Sequence, residues 1–258
     1  VMTMRVIIAH IVLLLMKPRF KKIIWKDELI FLLMGLTGCS IYFLAENTAL
    51  TITSTSNVSI IVASSPILTA LLAHIFTKDE KLKINTIAGF IIAFIGVAFV
   101  VFNGTFILKL NPIGDLLAFI SALSWAIYSL ILKNVVNRYD NILLIRKVMF
   151  YGLLTAFPFL LLEKKPFNLE ALANPKLLIS ILFLGVVGSG LCYLIWNLSV
   201  RKLGIVTTNS YIYVIPFVTM ILAAILLKEQ ITIIGILGAI LIILGVVITS
   251  SPKNSFHK

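Results

Sequence analysis

The stretch that decides the fold is LIFLLMGLTG (29–38), LAENTAL (44–50), SSPILTALLAHIFTKDE (64–80) and IAGFIIAFIGVAF (87–99). The chain repeats it as LISILFLGVVGSG (178–190), LIWNLSV (194–200), VIPFVTMILAAILLKEQ (214–230) and ILGAILIILGVVI (236–248). Ten residues recur at a shift of 150 or, after a one-residue slip, 149: Gly35, Gly38, Leu44, Asn47, Pro66, Thr69, Ala73, Glu80, Gly89 and Gly96. A shared register over about 70 residues indicates an internal duplication.

The composition places most of the chain in a lipid bilayer. Of the 258 residues, 60% are hydrophobic and 12% are charged, more apolar side chain than a water-soluble core can bury. Nine apolar runs are predicted as spans: 1–16, 29–49, 53–77, 84–102, 113–133, 143–162, 177–199, 205–227 and 231–250. Because the runs are apolar on all sides and about 20 residues long, they are typical of membrane helices and not of barrel strands. The sequence predicts an all-α membrane protein.

The basic residues are distributed unevenly between the loops. Sixteen Lys and Arg lie in one alternating set of connections, which includes Lys17, Lys78, Arg138, Arg201 and Lys258, and five lie in the other set. This asymmetry follows the positive-inside rule and predicts a multi-pass cell-membrane protein whose C-terminus is cytoplasmic. The net charge of +12 therefore needs no nucleic-acid partner.

The repeats predict the domain organisation. Two spans precede the repeated block in the second half, and only one precedes it in the first, so the complete unit is five helices. The first repeat is predicted at 1–102, lacking its first helix, the second at 113–250, and a cytoplasmic tail at 251–258. Since the chain begins at Val1 with a short apolar run, we expect a truncated N-terminus. An odd number of spans per unit makes the repeats inverted, as in alternating-access carriers.

The repeated residues also resemble a known family. The segments AENTALTITSTSNVSIIVASSPILTALLAHIFTKDEKL (45–82) and IAGFIIAFIGV (87–97), with the echo LLKEQITIIGILGAILIILGVVI (226–248), are similar to the drug/metabolite transporter superfamily, EamA type. The resemblance implies a ten-helix inverted-repeat (5+5) bundle with both termini in the cytoplasm. It also implies carriage of amino acids, sugars or other small metabolites, often outward. In this chain the first of the ten helices is missing.

One predicted helix carries the clearest polar stripe. Ser121, Ser124, Trp125 and Tyr128 are spaced i, i+3, i+4 and i+7, so they share one face of the span 113–133. Such serines also serve as helix contacts. A tryptophan at mid-depth, however, is misplaced for an interfacial belt, which favours a cavity lining.

Other spans add candidate substrate-binding residues to this stripe. Ser189 and Tyr193 lie one turn apart on one span, and Asn209, Tyr213 and Pro216 follow one face of the next. Tyr42 and Pro66 complete the set. Pro66 and Pro216 lie near the middle of their spans and each frees the carbonyl four residues earlier, those of Val62 and Ile212. A packing kink explains the prolines about as well as substrate contact, and Gly185, Gly188 and Gly190 indicate close helix packing.

Two charged residues are predicted inside the membrane. Arg5 lies twelve residues before Lys17, about 18 Å along a helix. Glu46 lies farther still from the basic face. An unpaired arginine at depth costs about 2.5 to 3.5 kcal/mol, so Arg5 is expected to pair with Glu46 or to hold an anionic group of the substrate. Snorkelling of both side chains to the outer surface is the alternative.

The remaining titratable residues give weaker predictions. His10 and His74 are candidates for proton coupling, although lone histidines are more often structural. Glu80 and Glu229 are interpreted as solvated charges at the interface. No cofactor, metal-ligand spacing, P-loop, HExxH or GxSxG motif is found in the sequence, so catalysis is not predicted.

The predicted function is that of a secondary transporter, in the export direction, for small neutral or zwitterionic metabolites such as amino acids. Alternating access would operate through an amphipathic central cavity. Two alternatives stay open. One is a nucleotide-sugar or sugar transporter of the same superfamily, for which more than one deep basic residue is expected. The other is a membrane interaction protein that transports nothing.

Overall fold

The chain folds into helices throughout the part that the structure describes. The computed structural model describes residues 2–18, 24–80, 82–102, 111–162, 174–226, 228 and 231–250. The α-helices are α1 (Met2–Met16), α2 (Trp25–Gly35), α3 (Tyr42–Ile52), α4 (Thr55–Val62), α5 (Ser65–Phe76), α6 (Ile84–Phe102), α7 (Pro112–Val135), α8 (Asn141–Leu162), α9 (Pro175–Phe183), α10 (Cys192–Leu203), α11 (Ile205–Ser210), α12 (Val214–Leu226) and α13 (Ile233–Ser250). The predicted all-α fold class is confirmed.

Two π-helical segments and one 3-10 turn join some of these helices end to end. The π-helical segments are Leu36–Ile41, between α2 and α3, and Leu184–Leu191, between α9 and α10. The 3-10 turn Tyr211–Tyr213 lies between α11 and α12. The two π-helical segments cover equivalent stretches of the sequence repeat. Because π-helical geometry is rare and marks functional sites in many helices, its appearance twice at one repeat position singles out both segments.

The helical stretches are long enough to cross a membrane. Eight stretches among the described residues are sufficiently long and apolar: Trp25–Ile52, Thr55–Phe76, Ile84–Phe102, Pro112–Val135, Asn141–Phe159, Pro175–Leu203, Ile205–Leu226 and Ile233–Ser250. A shorter apolar helix covers Thr3–Met16. The chain is a multi-pass membrane protein. The 5+5 count stays a prediction, and the predicted tail 251–258 lies outside the described residues.

The chain divides into two compact units that do not follow the sequence order. The first unit comprises Val1–Leu44 and Ile127–Leu203, and the second comprises Ala45–Ala126 and Gly204–Lys258. Each unit therefore takes segments from both predicted repeats, whose bounds at 1–102 and 113–250 stay a prediction. The division falls inside α3 and α7.

In the first unit, α8 packs against α1, α2 and the first π-helical segment. Gly35 and Gly152 bring α2 and α8 into backbone contact, because a Cβ atom on Gly35 would lie 2.5 Å from the Gly152 nitrogen. The Ser40 hydroxyl donates to the Gly152 carbonyl at 2.8 Å. The small residues thus hold the first π-helical segment against α8.

In the second unit, α6 and α13 form the most extensive helix pair. A Cβ atom on Gly96 would lie 2.6 Å from the Gly238 carbonyl oxygen, and one on Gly245 would lie 2.5 Å from the Gly89 carbonyl oxygen. Small residues allow helix backbones to approach closely where lipid provides no hydrophobic drive for association. The repeated glycines, which recur in the sequence as Gly89/Gly238 and Gly96/Gly245, are therefore explained by packing.

The second unit also contains two broken helical stretches. The first breaks in a turn at Ala63–Ser64, and Pro66 lies in the first turn of α5, where a missing N–H group is tolerated. The carbonyl of Val62, predicted to be freed by Pro66, accepts a hydrogen bond from the Ser65 hydroxyl. In the other stretch the 3-10 turn precedes Pro216. The sequence predicted both prolines near the middle of unbroken spans. Each instead lies at the start of a new helical segment.

Candidate functional site

The predicted site residues fall into two groups, one in each compact unit. The first unit holds Arg5, Tyr42, Tyr128, Ser189 and Tyr193. The second unit holds Glu46, Pro66, Ser121, Ser124, Trp125, Asn209, Tyr213 and Pro216. Several members of each group contact one another.

Arg5, on α1, is held by two neutral groups. Its Nε donates to the Ser189 hydroxyl at 2.8 Å, and its guanidinium carbon lies 4.3 Å from the ring centroid of Phe43. Ser189 is fully buried in the second π-helical segment, whereas Arg5 is partly exposed. The bond to Ser189 uses only Nε. It leaves the two terminal nitrogens, which form the fork that binds carboxylates, outside this interaction.

Glycines let α1 come close enough for this contact. A Cβ atom on Gly185 would lie 2.6 Å from Cγ2 of Ile8 and 3.1 Å from the Arg5 carbonyl oxygen. One on Gly188 would lie 3.6 Å from Nη2 of Arg5. Gly185 therefore has the packing role that its small size indicates, and the π-helical backbone presents Ser189 to Arg5. Phe43 was not predicted, because an aromatic residue in an apolar span gives no sign that it stacks on a cation.

The tyrosines of the first unit form a packed group. The Tyr193 hydroxyl donates to the Gly38 carbonyl at 2.9 Å, and the Tyr128 and Tyr193 ring centroids are 6.2 Å apart. The Tyr128 ring lies directly against Gly38, where no side chain would fit. Tyr42 is half-buried beside Phe43. The Tyr193 hydroxyl thus links the first π-helical segment to α10, a structural contact that the sequence did not indicate.

In the second unit, Asn209 links three helices. Its Oδ1 accepts from Nε1 of Trp125 at 3.1 Å and, over a longer 3.4 Å, from the Thr69 hydroxyl. Its Nδ2 donates to the Ile205 carbonyl at 2.9 Å, which fixes the orientation of the amide. The structure thus brings Trp125 and Asn209 into direct contact. Thr69, fully buried, was not among the predicted residues.

Two buried hydroxyls lie one helical turn from this contact. Ser121 precedes Trp125 by four residues, and Tyr213 follows Asn209 by four. Both side chains are fully buried, and neither hydroxyl has a hydrogen-bond partner within the described part of the chain. A buried polar group without a partner calls for water or a ligand. Ser121 and Tyr213 are therefore the strongest candidates in this unit for contacts with a polar substrate group; the nearby Ser124 is also buried.

Glu46 and the two histidines give no further site. Glu46, on α3, belongs to the second unit, and its pairing with Arg5 stays a prediction. Nδ1 of His10 lies 3.2 Å from the Arg146 carbonyl oxygen, and Nδ1 of His74 accepts from the Leu82 amide at 3.2 Å. These contacts give both rings a structural role, and proton coupling stays a prediction. Over the ranges that the structure describes, no His, Cys, Asp and Glu cluster could hold a metal ion.

Glu80 corrects the interpretation of a solvated surface charge. Its Oε1 accepts from the Ile205 amide and its Oε2 from the Val206 amide, both at 2.9 Å. The carboxylate therefore caps the start of α11, where unpaired N–H groups and the helix dipole attract an anion. This contact could not be predicted from the sequence because 125 residues separate the partners. Glu229, its counterpart in the repeat, lies outside the described residues.

Comparisons with known proteins agree on one family. A sequence profile of the EamA-like transporter family matches residues 1–102 and 112–251. An uncharacterized transporter of Archaeoglobus fulgidus is 30% identical over 229 residues, 88% of this chain and 79% of that protein. The uncharacterized transporter YyaM of Bacillus subtilis is 29% identical over 230 residues, covering 87% and 74%.

Two further likenesses are more distant. A probable terminal-alkyne amino-acid exporter of Streptantibioticus cattleyicolor is 25% identical over 223 residues, which are 86% of this chain and 73% of that protein. One crystal structure superposes with a TM-score of 0.79 over 96% of this chain and 86% of the other, at 16% identity. At that identity the likeness shows the fold alone.

Proposed function

Since this chain belongs to the EamA-like transporter family, we propose that it exports small neutral or zwitterionic metabolites, with amino acids as the leading class. Transport proceeds by alternating access through a central cavity, in the cell membrane and with the C-terminus in the cytoplasm. The chain acts as a carrier and not as an enzyme. Membership in the family makes it a membrane transporter, and the substrate class and direction are the proposal.

The observation that carries the substrate class is the setting of Arg5. Its guanidinium lies on an apolar helix and is held by a serine hydroxyl and a phenylalanine ring, both neutral. A cation in such surroundings is costly to bury unless an anion compensates it. A substrate carboxylate supplies that anion and matches the fork of the two terminal nitrogens.

Taken by itself, the second unit also favours a substrate with little charge. Trp125, Asn209, Ser121 and Tyr213 offer aromatic surface, an amide and hydroxyls, all of them uncharged. Such groups suit apolar or hydroxylated parts of a small molecule, whereas a polyanion requires several charge-assisted partners. The relative named as a probable amino-acid exporter is consistent with this class.

The experiment is a thermal-shift measurement on the detergent-purified chain with amino acids, their amides, sugars and nucleotide sugars. A ligand that binds the folded state raises the melting temperature by mass action. We expect shifts with amino acids and not with their amides. Because a hydrogen bond to a charged group contributes about 1.5–3 kcal/mol, Arg5→Gln should weaken amino-acid affinity by about 10- to 100-fold.

Arg138→Gln is the matched control, since it removes an exposed arginine of the Val136–Tyr139 turn and should leave the shift unchanged. Equal shifts with an amino acid and its amide would exclude carboxylate recognition by Arg5. A shift with nucleotide sugars alone would replace the substrate class and keep the carrier. Counterflow of labelled amino acid in proteoliposomes then tests transport itself, and its absence despite binding would favour an interaction protein.

A further inference from the structure

Glu80 joins two segments of the second unit that are far apart in sequence. It follows α5 by four residues, and its two carboxylate oxygens bind the first two amides of α11. Gly204, just before α11, has a φ of +82°, and a Cβ atom there would lie 2.8 Å from Oε1 of Glu80. The absence of a side chain at Gly204 therefore leaves room for this carboxylate at the start of α11.

The helices α5 and α11 also pack directly against each other. The Thr69 hydroxyl donates to Oδ1 of Asn209 across this pair of helices, and the 3.4 Å length makes the bond weak. The Leu82 amide donates to Nδ1 of His74 at 3.2 Å, so a residue two positions after Glu80 contacts the last turn of α5. The two charge-assisted bonds of Glu80, at 2.9 Å, are shorter and stronger than the bond from Thr69 to Asn209.

The sequence assigns this end of the two helices to the cytoplasmic side. Lys78 and Lys83 flank Glu80, and Arg201 and Lys202 precede Gly204. Both connections belong to the basic set that the positive-inside rule places in the cytoplasm. Glu80 binds the start of α11 at this end, and Asn209 lies one helical turn further along the same helix.

We propose that Glu80 is the cytoplasmic latch of the transport cycle. While its carboxylate binds the amides of Ile205 and Val206, α5 and α11 stay together and the route from the cytoplasm to Asn209 is closed. Release of these two hydrogen bonds lets the segments separate and admits substrate. The latch rests on the proposed alternating-access function, but opening can be measured without any substrate.

A capping role alone would not require this arrangement. The equivalent helix of the first repeat, α4, is capped by its own neighbour Ser54, which keeps its cap whichever way the helix moves. Glu80 belongs to a different segment, so α11 retains this cap only while the two segments are in contact. The cap is therefore tied to the closed arrangement, as a latch requires.

The first test measures access to Thr69→Cys in a chain whose Cys39 and Cys192 are replaced by alanine. Thr69 is fully buried between α5 and α11, so a membrane-impermeant thiol reagent should label the cysteine slowly. We expect Glu80→Gln to raise the labelling rate at least about 10-fold, since loss of one charge-assisted hydrogen bond corresponds to that factor. The rise should appear in inside-out vesicles and not in right-side-out vesicles.

Glu28→Gln is the matched control. Glu28 is also a partly buried carboxylate with two partners, Lys147 and Tyr151, but it lies in the first unit. Its substitution should leave labelling of Thr69→Cys unchanged. An equal rise in both variants, or no rise in a Glu80→Gln protein that is folded at the temperature of the assay, would overturn the latch. A rise in right-side-out vesicles alone would place Glu80 on the other face and also overturn it.

A second variant covers the case in which Glu80→Gln fails to fold. Ile205→Pro keeps Glu80 and removes one of the two amides, at the first position of α11, where proline is tolerated. We expect it to raise the labelling rate of Thr69→Cys in inside-out vesicles, because one of the two hydrogen bonds of the latch is lost. Ile205→Ala, which keeps both amides, is its control and should leave the labelling rate unchanged. No rise in a folded Ile205→Pro protein, or an equal rise in Ile205→Ala, would overturn the latch.

Discussion

The helices that begin at Thr55 and Ile205 occupy the same position in the two repeats, 150 residues apart, yet they begin differently. Before Thr55, Ser54 adopts an extended conformation, and its side chain accepts from the Asn57 amide at 3.2 Å. Before Ile205, Gly204 has φ 82° and ψ 168° and offers no side chain, and Glu80 supplies the cap. The first helix is capped by the residue just before it, and the second helix is capped by a residue from a separate segment.

The difference shows that the two repeats can retain equivalent helices while the residue that caps the start of each helix changes. A local cap stabilises a helix wherever the helix goes, because its residues move together. A cap from another segment stabilises the helix and the contact at once. Side chains around Thr55 also bind α7, since Thr53 and Asn57 both donate to Oδ1 of Asp115. The following three substitutions test this comparison.

Gly204→Ala should have the largest effect. The φ of +82° with ψ 168° belongs to a region that only glycine adopts readily, and the new Cβ atom would meet Glu80. Strain of this kind costs about 1–3 kcal/mol, and a displaced cap adds to it, so we expect a loss of about 3 kcal/mol. Unfolding of the detergent-solubilised chain by a denaturing detergent measures the change.

Gly190→Ala serves as its control. Gly190 does not have a positive φ, and its added Cβ atom would make an ordinary 3.5 Å contact with the Gly185 carbonyl oxygen. We expect no loss and a gain of about 0.4–1 kcal/mol, because alanine restricts the unfolded chain where the folded backbone accepts it without strain. Equal losses at the two glycines would mean that the unusual backbone of Gly204 carries no special cost.

Glu80→Gln should have the next largest effect on stability. Glutamine keeps the shape and one carbonyl oxygen, but it loses the charge and presents an NH₂ group to one of the two amides. A hydrogen bond to a charged group contributes about 1.5–3 kcal/mol, so we expect a loss of about 2 kcal/mol in the same unfolding measurement. A loss below about 0.5 kcal/mol would restore the sequence-based interpretation of Glu80 as a solvated charge.

These caps also mark the limit of what the sequence predicts. Apolar run length and the repeat predicted the helices, because bilayer thickness dictates their length and composition. Helical spacing predicted Ser121, Trp125 and Asn209 as site residues. The structure places Trp125 and Asn209 in direct contact and Ser121 one helical turn from Trp125. Phe43 beneath Arg5, and Glu80 before Ile205, could not be predicted, because a ring stacked on a cation and a distant cap leave no periodic pattern in the chain.

The π-helical segments were missed for a related reason. Gly185, Gly188 and Gly190 predicted close packing, which the structure shows at Gly185. An inserted residue in a helical turn changes which face the following side chains occupy. Ser189 therefore faces Arg5 through a backbone irregularity that spacing rules for regular α-helices do not include.

Ser54→Ala should have the smallest effect of the three. Removal of an N-cap side chain costs about 1 kcal/mol, whereas glycine at the same position costs only a few tenths. Unfolding measurements on Ser54→Ala and Ser54→Gly should show this order, both below Glu80→Gln. Because the side chain of Ser54 caps its own helix through the Asn57 amide, Ser54→Ala should also leave the cytoplasmic labelling of Thr69→Cys unchanged. A loss as large as that of Glu80→Gln, or faster labelling, would contradict the distinction between a local cap and a cap that depends on a contact between segments.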